Sequence, residues 1–130
     1  MAALFIARRR GYSRPMSTLI YKIVPAALWR KAEAQGRFDG APVDLTDGYI
    51  HFSTAAQVRE TAARHFAGQD DLVLVAVDGE TLGHALRYEV SRGGDLFPHL
   101  YAPLDPALAV RVVPLPLEAN GAHRFPDLSA

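Results

Sequence analysis

Residues Asp71 to Asp78 read Asp-Leu-Val-Leu-Val-Ala-Val-Asp, six apolar side chains in succession between two acids. A run this short with no polar face is the pattern of a central strand buried on both sides, so the rest of the chain has to supply cover for it. Upstream, Thr18 to Val24 is β-branched and aromatic and reads as the first strand, ended by Pro25. Proline also suits the first turn of a helix, and the spacing predicts one over Ala26 to Ala34, stopped by Gly36, with Leu28 and Ala32 on its buried stripe and Trp29 as a core anchor. Arg37 to Thr46 mixes Gly, Pro and Asp and reads as a loop, with Val43 and Leu45 briefly extended. A second helix is expected from Thr54 to Ala67, ending at Gly68, with Ala55, Val58, Ala62 and Phe66 on its apolar side. Beyond the apolar strand, His84 to Val90 alternates, with Arg87 and Glu89 on one face and Leu86, Tyr88 and Val90 on the other. Leu96 to Tyr101 contains Pro98 and reads as an edge or a loop. Ala109 to Leu117 is a last strand whose Pro114 and Pro116 place it at a sheet edge. The order of strand, helix, strand, helix and then a run of strands predicts an α+β domain with mainly antiparallel sheet.

At 130 residues one domain is expected, assigned to 16–117, with 1–15 an over-extended start or disordered arm and 118–130 a polar C-terminal tail. Fourteen basic and fourteen acidic residues leave no net charge to attract nucleic acid or an anionic membrane. The absence of cysteine excludes disulfides, thiolate catalysis and thiolate zinc sites. No run reaches the roughly 18 apolar residues that span a bilayer, and a cytoplasmic protein is expected. Composition sets no oligomeric state.

Function is concentrated in Asp47-Gly48-Tyr49-Ile50-His51-Phe52-Ser53-Thr54-Ala55-Ala56-Gln57. Asp-Gly is a turn, and Tyr49 to Phe52 has strand composition, with Tyr49, His51 and Ser53 on one face. Thr54 with Gln57 three residues on fits a capping box, which puts His51 and Ser53 beside the N-terminus of the second helix, a seat for an anion. His51, Glu89 and His99 are the candidate catalytic trio. A carboxylate near two imidazoles can orient a sugar hydroxyl and stabilise positive charge at an anomeric carbon, or the imidazoles can bind phosphate and move protons. The trio has the donor types of a metal set, but no His-x-x-x-His or His-Glu-x-x-His spacing occurs, and no metal is assigned. Each histidine can equally serve to fix an irregular turn by bonding to backbone.

Ile20-Tyr21-Lys22-Ile23 before a Trp-bearing helix, the Asp47–Ser53 segment with Gln57, and Phe97-Pro98-His99-Leu100-Tyr101 together resemble the bacterial family catalogued as domain of unknown function 952. The resemblance covers about Leu19 to Val113. It implies an ADP-ribosyltransferase-like fold, in which small antiparallel sheets and two flanking helices form a cleft for NAD. It further implies an enzyme acting on NAD or another ribose-phosphate compound, either an ADP-ribosyltransferase or an RNA 2′-phosphotransferase-like transferase. NAD would be a substrate, and no cofactor is required. On that resemblance Tyr21, Lys22, Tyr49, Ser53 and Tyr101 are the nucleotide-binding residues. Tyr21 or Lys22 falls at the first-strand position of such transferases, whose usual His or Arg is missing here unless Lys22 substitutes. A catalytically inactive nucleotide-binding module and a protein-interaction domain are the alternatives.

Overall fold

The computed structural model describes residues 18–128, so the expectation for 1–15 lies outside the described residues. In chain order the elements are β1 (Leu19–Pro25), α1 (Ala26–Gln35), α2 (Pro42–Asp47), β2 (Ile50–His51), β3 (Ser53–Thr54), α3 (Val58–His65), β4 (Leu72–Asp78), β5 (Leu86–Val90), β6 (Leu96–Leu100) and β7 (Ala109–Pro114). Short 3-10 segments precede β5, β6 and β7. Every strand pairing is antiparallel, in one sheet of order β3-β1-β4-β7 and a second of order β2-β6-β5. The α+β class with antiparallel sheets therefore holds.

The apolar run sits where its composition requires. On one side of β1 and β4, Ile20, Val24, Val75 and Val77 pack with Trp29 of α1 and with Ile50 and Leu100 of the second sheet. On the other, Tyr21, Ile23, Leu72, Leu74 and Ala76 pack with Val58 and Ala62 of α3 and with Leu115 and Leu128. Each fully buried Val, Leu or Ile among them contributes about 1.5–3 kcal/mol of transfer free energy, which is why this four-stranded sheet anchors the domain. Trp29 is buried as expected, with its ring 5.6 Å from Phe38 and its indole N–H donating to Glu33. Gly36 closes α1 with a left-handed φ of 73°.

Five local expectations are corrected. Tyr49 to Phe52 is not one strand: Ile50 and His51 pair with β6, while Ser53 and Thr54 pair with β1, so the chain crosses between the sheets at Phe52. For the same reason the helix expected from Thr54 begins only at Val58 and ends at His65, because Thr54 is still laddered to Ile20. Gln57 Oε1 does accept from the Thr54 N–H at 3.0 Å, but it ties a turn instead of opening the helix. The loop over Arg37 to Thr46 contains α2, with Pro42 at its first turn and Gly48 at its left-handed end, φ 88°. Pro98 lies in the central strand of the second sheet, not at an edge. Its carbonyl accepts from the Phe52 N–H at 2.9 Å, so its missing N–H faces the point where β2 has already left the sheet. Finally, the segment after Glu118 is not merely polar: Leu128 is buried and Phe125 packs beside it, and the Tyr21 hydroxyl donates to the Leu128 carbonyl. β5 and β7 are edge strands, as their sequences indicate.

Candidate functional site

Strand alternation divides the second sheet into an apolar and a polar face. Ile50 pairs with Leu100 and both enter the core, so the next pair, His51 with His99, projects from the opposite face. Arg87 of β5 is in turn the partner of His99. Arg87, His99 and His51 therefore form one row across three strands. The imidazole centroids of His51 and His99 are 5.6 Å apart. Tyr49, just before β2, stacks on His99 at 4.1 Å and lies 4.6 Å from His51 and 5.2 Å from Tyr101. The Arg87 guanidinium sits 4.7 Å above the Tyr101 ring, a cation–π arrangement.

Each imidazole is held by a carboxylate. His99 Nδ1 is 2.8 Å from Glu89 Oε1, and the Tyr101 hydroxyl donates to the same oxygen at 2.6 Å. Those two hydrogen bonds, from Tyr101 first and His99 second, hold the Glu89 carboxyl below its ordinary range despite partial desolvation. The bond to Glu89 likewise pushes the Tyr101 phenol up. Burial, then the nearby Asp47 and Glu89 charges, raises the Tyr49 phenol. An ionised carboxylate only accepts, so His99 carries hydrogen on Nδ1 and directs Nε2 away from Glu89. His99 is 3% exposed, and among the described residues its Nε2 has no hydrogen-bond partner.

The second carboxylate is Asp44 of α2. Its Oδ1 is 2.7 Å from His51 Nδ1 and accepts the His51 backbone N–H at 3.0 Å, while Oδ2 accepts the Ala41 N–H at 2.7 Å. The Lys22 ammonium reaches Oδ2 at 3.1 Å and donates to the His51 carbonyl at 2.9 Å. Burial works against the charge on Asp44, but the His51 ring, Lys22 and the backbone donors outweigh it and bring its pKa to about 2. Burial lowers the Lys22 pKa, with Asp44 opposing. Gly40 is needed beside this group, since a Cβ there, at φ +123°, would fall 2.7 Å from Asp44 Cβ. His51 Nε2 meets Asp47 Oδ2 at 2.9 Å, so the ring lies between two carboxylates. Both contacts are donated hydrogen bonds only when both ring nitrogens carry hydrogen.

His51, Glu89, His99, Tyr49 and Tyr101 are thus gathered on one face. Lys22 reaches the cluster from beneath, with its ammonium committed to Asp44 and His51. Tyr21 does not join: it lies on the opposite side of β1, with its hydroxyl on Leu128 and its phenol raised by burial. Ser53 is buried with its hydroxyl 2.9 Å from that of Thr61 and also stays apart. Asp44, Asp47 and Arg87 were not singled out in the sequence. For Asp44 a signal was available, since an acid three residues after Ala41 with Pro42 between is a helix start. Among the described residues no three His, Cys, Asp or Glu side chains are grouped to hold a metal ion, and no helix is long and apolar enough to cross a membrane.

The family profile described as "Protein of unknown function (DUF952)" matches residues 23–112. The X-ray crystal structure of protein CC0527 from Caulobacter crescentus is 53% identical with a TM-score of 0.80, over 82% of this chain and 94% of that chain. The solution NMR structure of CC0527 is 54% identical with a TM-score of 0.74, over 81% of this chain and 90% of that one. No curated protein matches.

Proposed function

Because the chain belongs to the DUF952 family, a name that carries no activity, the functional reading rests on the site, and we propose an ADP-ribosyltransferase-like protein that binds NAD or another ribose-phosphate compound and cleaves it. The supporting observation is Glu89. Its carboxylate is kept ionised by Tyr101 and His99 while its side chain is 37% exposed, beside the stacked ring of Tyr49. A negative charge fixed in this way can accept a ribose hydroxyl and stabilise the positive charge that develops when the bond from the anomeric carbon to nicotinamide breaks. Tyr49 and Tyr101 supply aromatic faces for a heterocycle, and Arg87 a cation for phosphate. Two small antiparallel sheets with helices beside them also suit a transferase-like fold.

One observation favours the second reading, a binding module without turnover. Lys22, the cation on the first strand, is spent on Asp44 and the His51 carbonyl. Calorimetry with NAD, ADP-ribose and short RNA ends, joined to chromatography for released nicotinamide, separates the readings. Heat with nicotinamide release supports the enzyme, and heat alone supports the module. No heat with any of the three ligands sinks both and leaves a protein-interaction domain.

A further inference from the structure

The polar face holds something the glycosidic reading does not use: two imidazoles side by side, each oriented through Nδ1 by its own carboxylate. Asp44 fixes His51 and Glu89 fixes His99, so neither ring uses Nε2 to reach its orienting carboxylate. The two rings differ in what that atom presents. On His99 it is buried and has no hydrogen-bond partner among the described residues. On His51 it meets the Asp47 carboxylate oxygen Oδ2 at 2.9 Å. With centroids 5.6 Å apart, the two rings are near enough for one to take a proton and the other to give one in a single reaction.

Arg87 completes the row across the strands, as the register partner of His99. Arg87, whose guanidinium lies over the Tyr101 ring, adds a cation to the face that carries the two imidazoles, and hydrolysis of a phosphate diester needs a proton removed at one oxygen and delivered at another. A phosphate oxygen would have to displace Asp47 Oδ2 to reach His51 Nε2. The Asp47 side chain is 41% exposed at the end of α2, next to Gly48, which leaves it room to withdraw.

Resting on the reading of this face as a ribose-phosphate site, the geometry points to a ribose 2′,3′-cyclic phosphate as a substrate, opened by water with His99 as general base and His51 as general acid. His99 Nε2 removes a proton from water and the oxygen bonds to phosphorus. The bond from phosphorus to O2′ breaks, and His51 Nε2 delivers its proton to the departing oxygen. The product is a 3′-phosphomonoester with a free 2′-hydroxyl; His99 then releases its proton to solvent and His51 regains one, so no oxidant, reductant or further reactant enters. Glu89 and Asp44 are positioning residues in this step.

The test is to incubate the full chain with adenosine 2′,3′-cyclic phosphate and follow the phosphorus resonance from cyclic diester to monoester, with binding measured in parallel by calorimetry. The informative variants are His51→Asn and His99→Asn, because an asparagine amide can still donate to Asp44 or Glu89 while Nε2 is gone. Conversion by the native chain, with a loss of about 10²–10⁴-fold in each variant and melting curves unchanged, is the expected result. Binding of the cyclic phosphate without conversion overturns the acid–base pair and leaves the ribose-phosphate site standing, as does conversion that survives in both asparagine variants. Absence of heat with the cyclic phosphate, NAD and ADP-ribose alike overturns the underlying site as well.

Discussion

The two carboxylate–histidine pairs are built with opposite burial. In the Asp44–His51 pair the carboxylate side chain is 1% exposed and the imidazole 30%, whereas in the Glu89–His99 pair the imidazole is 4% exposed and the carboxylate 37%. A buried carboxylate is tolerable only when its lone pairs are filled, and Asp44 has two backbone N–H groups, an imidazole and an ammonium. Glu89 has a phenol and an imidazole and keeps an open side. One acid is therefore structural, joining β1, α2 and β2, and the other is available to a ligand. On the proposed reading, the buried Asp44 holds its part of the face still while the exposed Glu89 is open to a ligand.

The contrast is broken most severely at Asp44. Asp44→Ala strands the Lys22 ammonium and two backbone donors, and a loss of about 3–5 kcal/mol is expected in urea denaturation at neutral pH. Lys22→Met combined with Asp44→Leu should recover only the part due to the stranded charge, because the Ala41 and His51 N–H groups stay unpaired. A loss below about 1 kcal/mol for Asp44→Ala would class the pair with exposed salt bridges and end its structural role.

Acid sharpens the same point more gently. The folded-state pKa of Asp44 is depressed from 3.8 to about 2. A depressed carboxylate contributes stability that is present above its unfolded pKa and lost as pH falls through the folded one. The contribution is roughly 2 kcal/mol, and the window is between about pH 4 and pH 2. Urea midpoints of the native chain and of Asp44→Asn should converge as pH is lowered through that window. Parallel curves would mean that Asp44 is not the group titrating.

Much of the fold was legible because β4 has a single solution: six apolar residues between two acids fit only the middle of a covered sheet. His51, Glu89 and His99 were legible as candidates from their settings, a hinge, an alternating strand and a proline-bounded segment, but the sheet that brings them together was not, and alternation wrongly grouped Ser53 with His51. What escaped was tertiary. Phe52 belongs to neither sheet, and nothing in Tyr49 to Thr54 announces that its two halves pair with different partners. Pro98 looked like an edge residue because the neighbour that excuses its missing N–H is far away in sequence. Asp44 lay in a stretch read as a loop, although Ala41-Pro42 ahead of it and Gly48 behind mark a short helix. Lys22 was seen as a first-strand ligand contact because its sequence neighbours do not show that an acid from α2 reaches its ammonium.

Tyr21 offers a smaller and opposite check, since it lies outside the polar face. Tyr21→Phe removes only the hydrogen bond to the Leu128 carbonyl, for about 0.5–1.5 kcal/mol. Affinity for NAD or ADP-ribose should be unchanged. A large fall in affinity with this substitution would put the ligand on the α3 side of β1.

The smallest effect on the fold is expected at Glu89, and it is the one that bears most on function. In Glu89→Gln an amide oxygen replaces Oε1, so the Tyr101 hydroxyl and His99 Nδ1 keep an acceptor at nearly the same place while the charge is lost. The melting temperature should therefore move less than for Tyr21→Phe. If Glu89 stabilises a developing cation, nicotinamide release must fall sharply while ligand binding changes little, because the charge matters more in the transition state than in the bound substrate. Tyr101→Phe tests the same carboxylate from the other side: with its first donor removed, the Glu89 pKa rises, and the carboxyl carbon resonance should titrate at higher pH than in the native chain. A Glu89→Gln chain that melts far below the native one would show that this carboxylate, like Asp44, is structural. The difference between the two pairs would then be one of exposure alone.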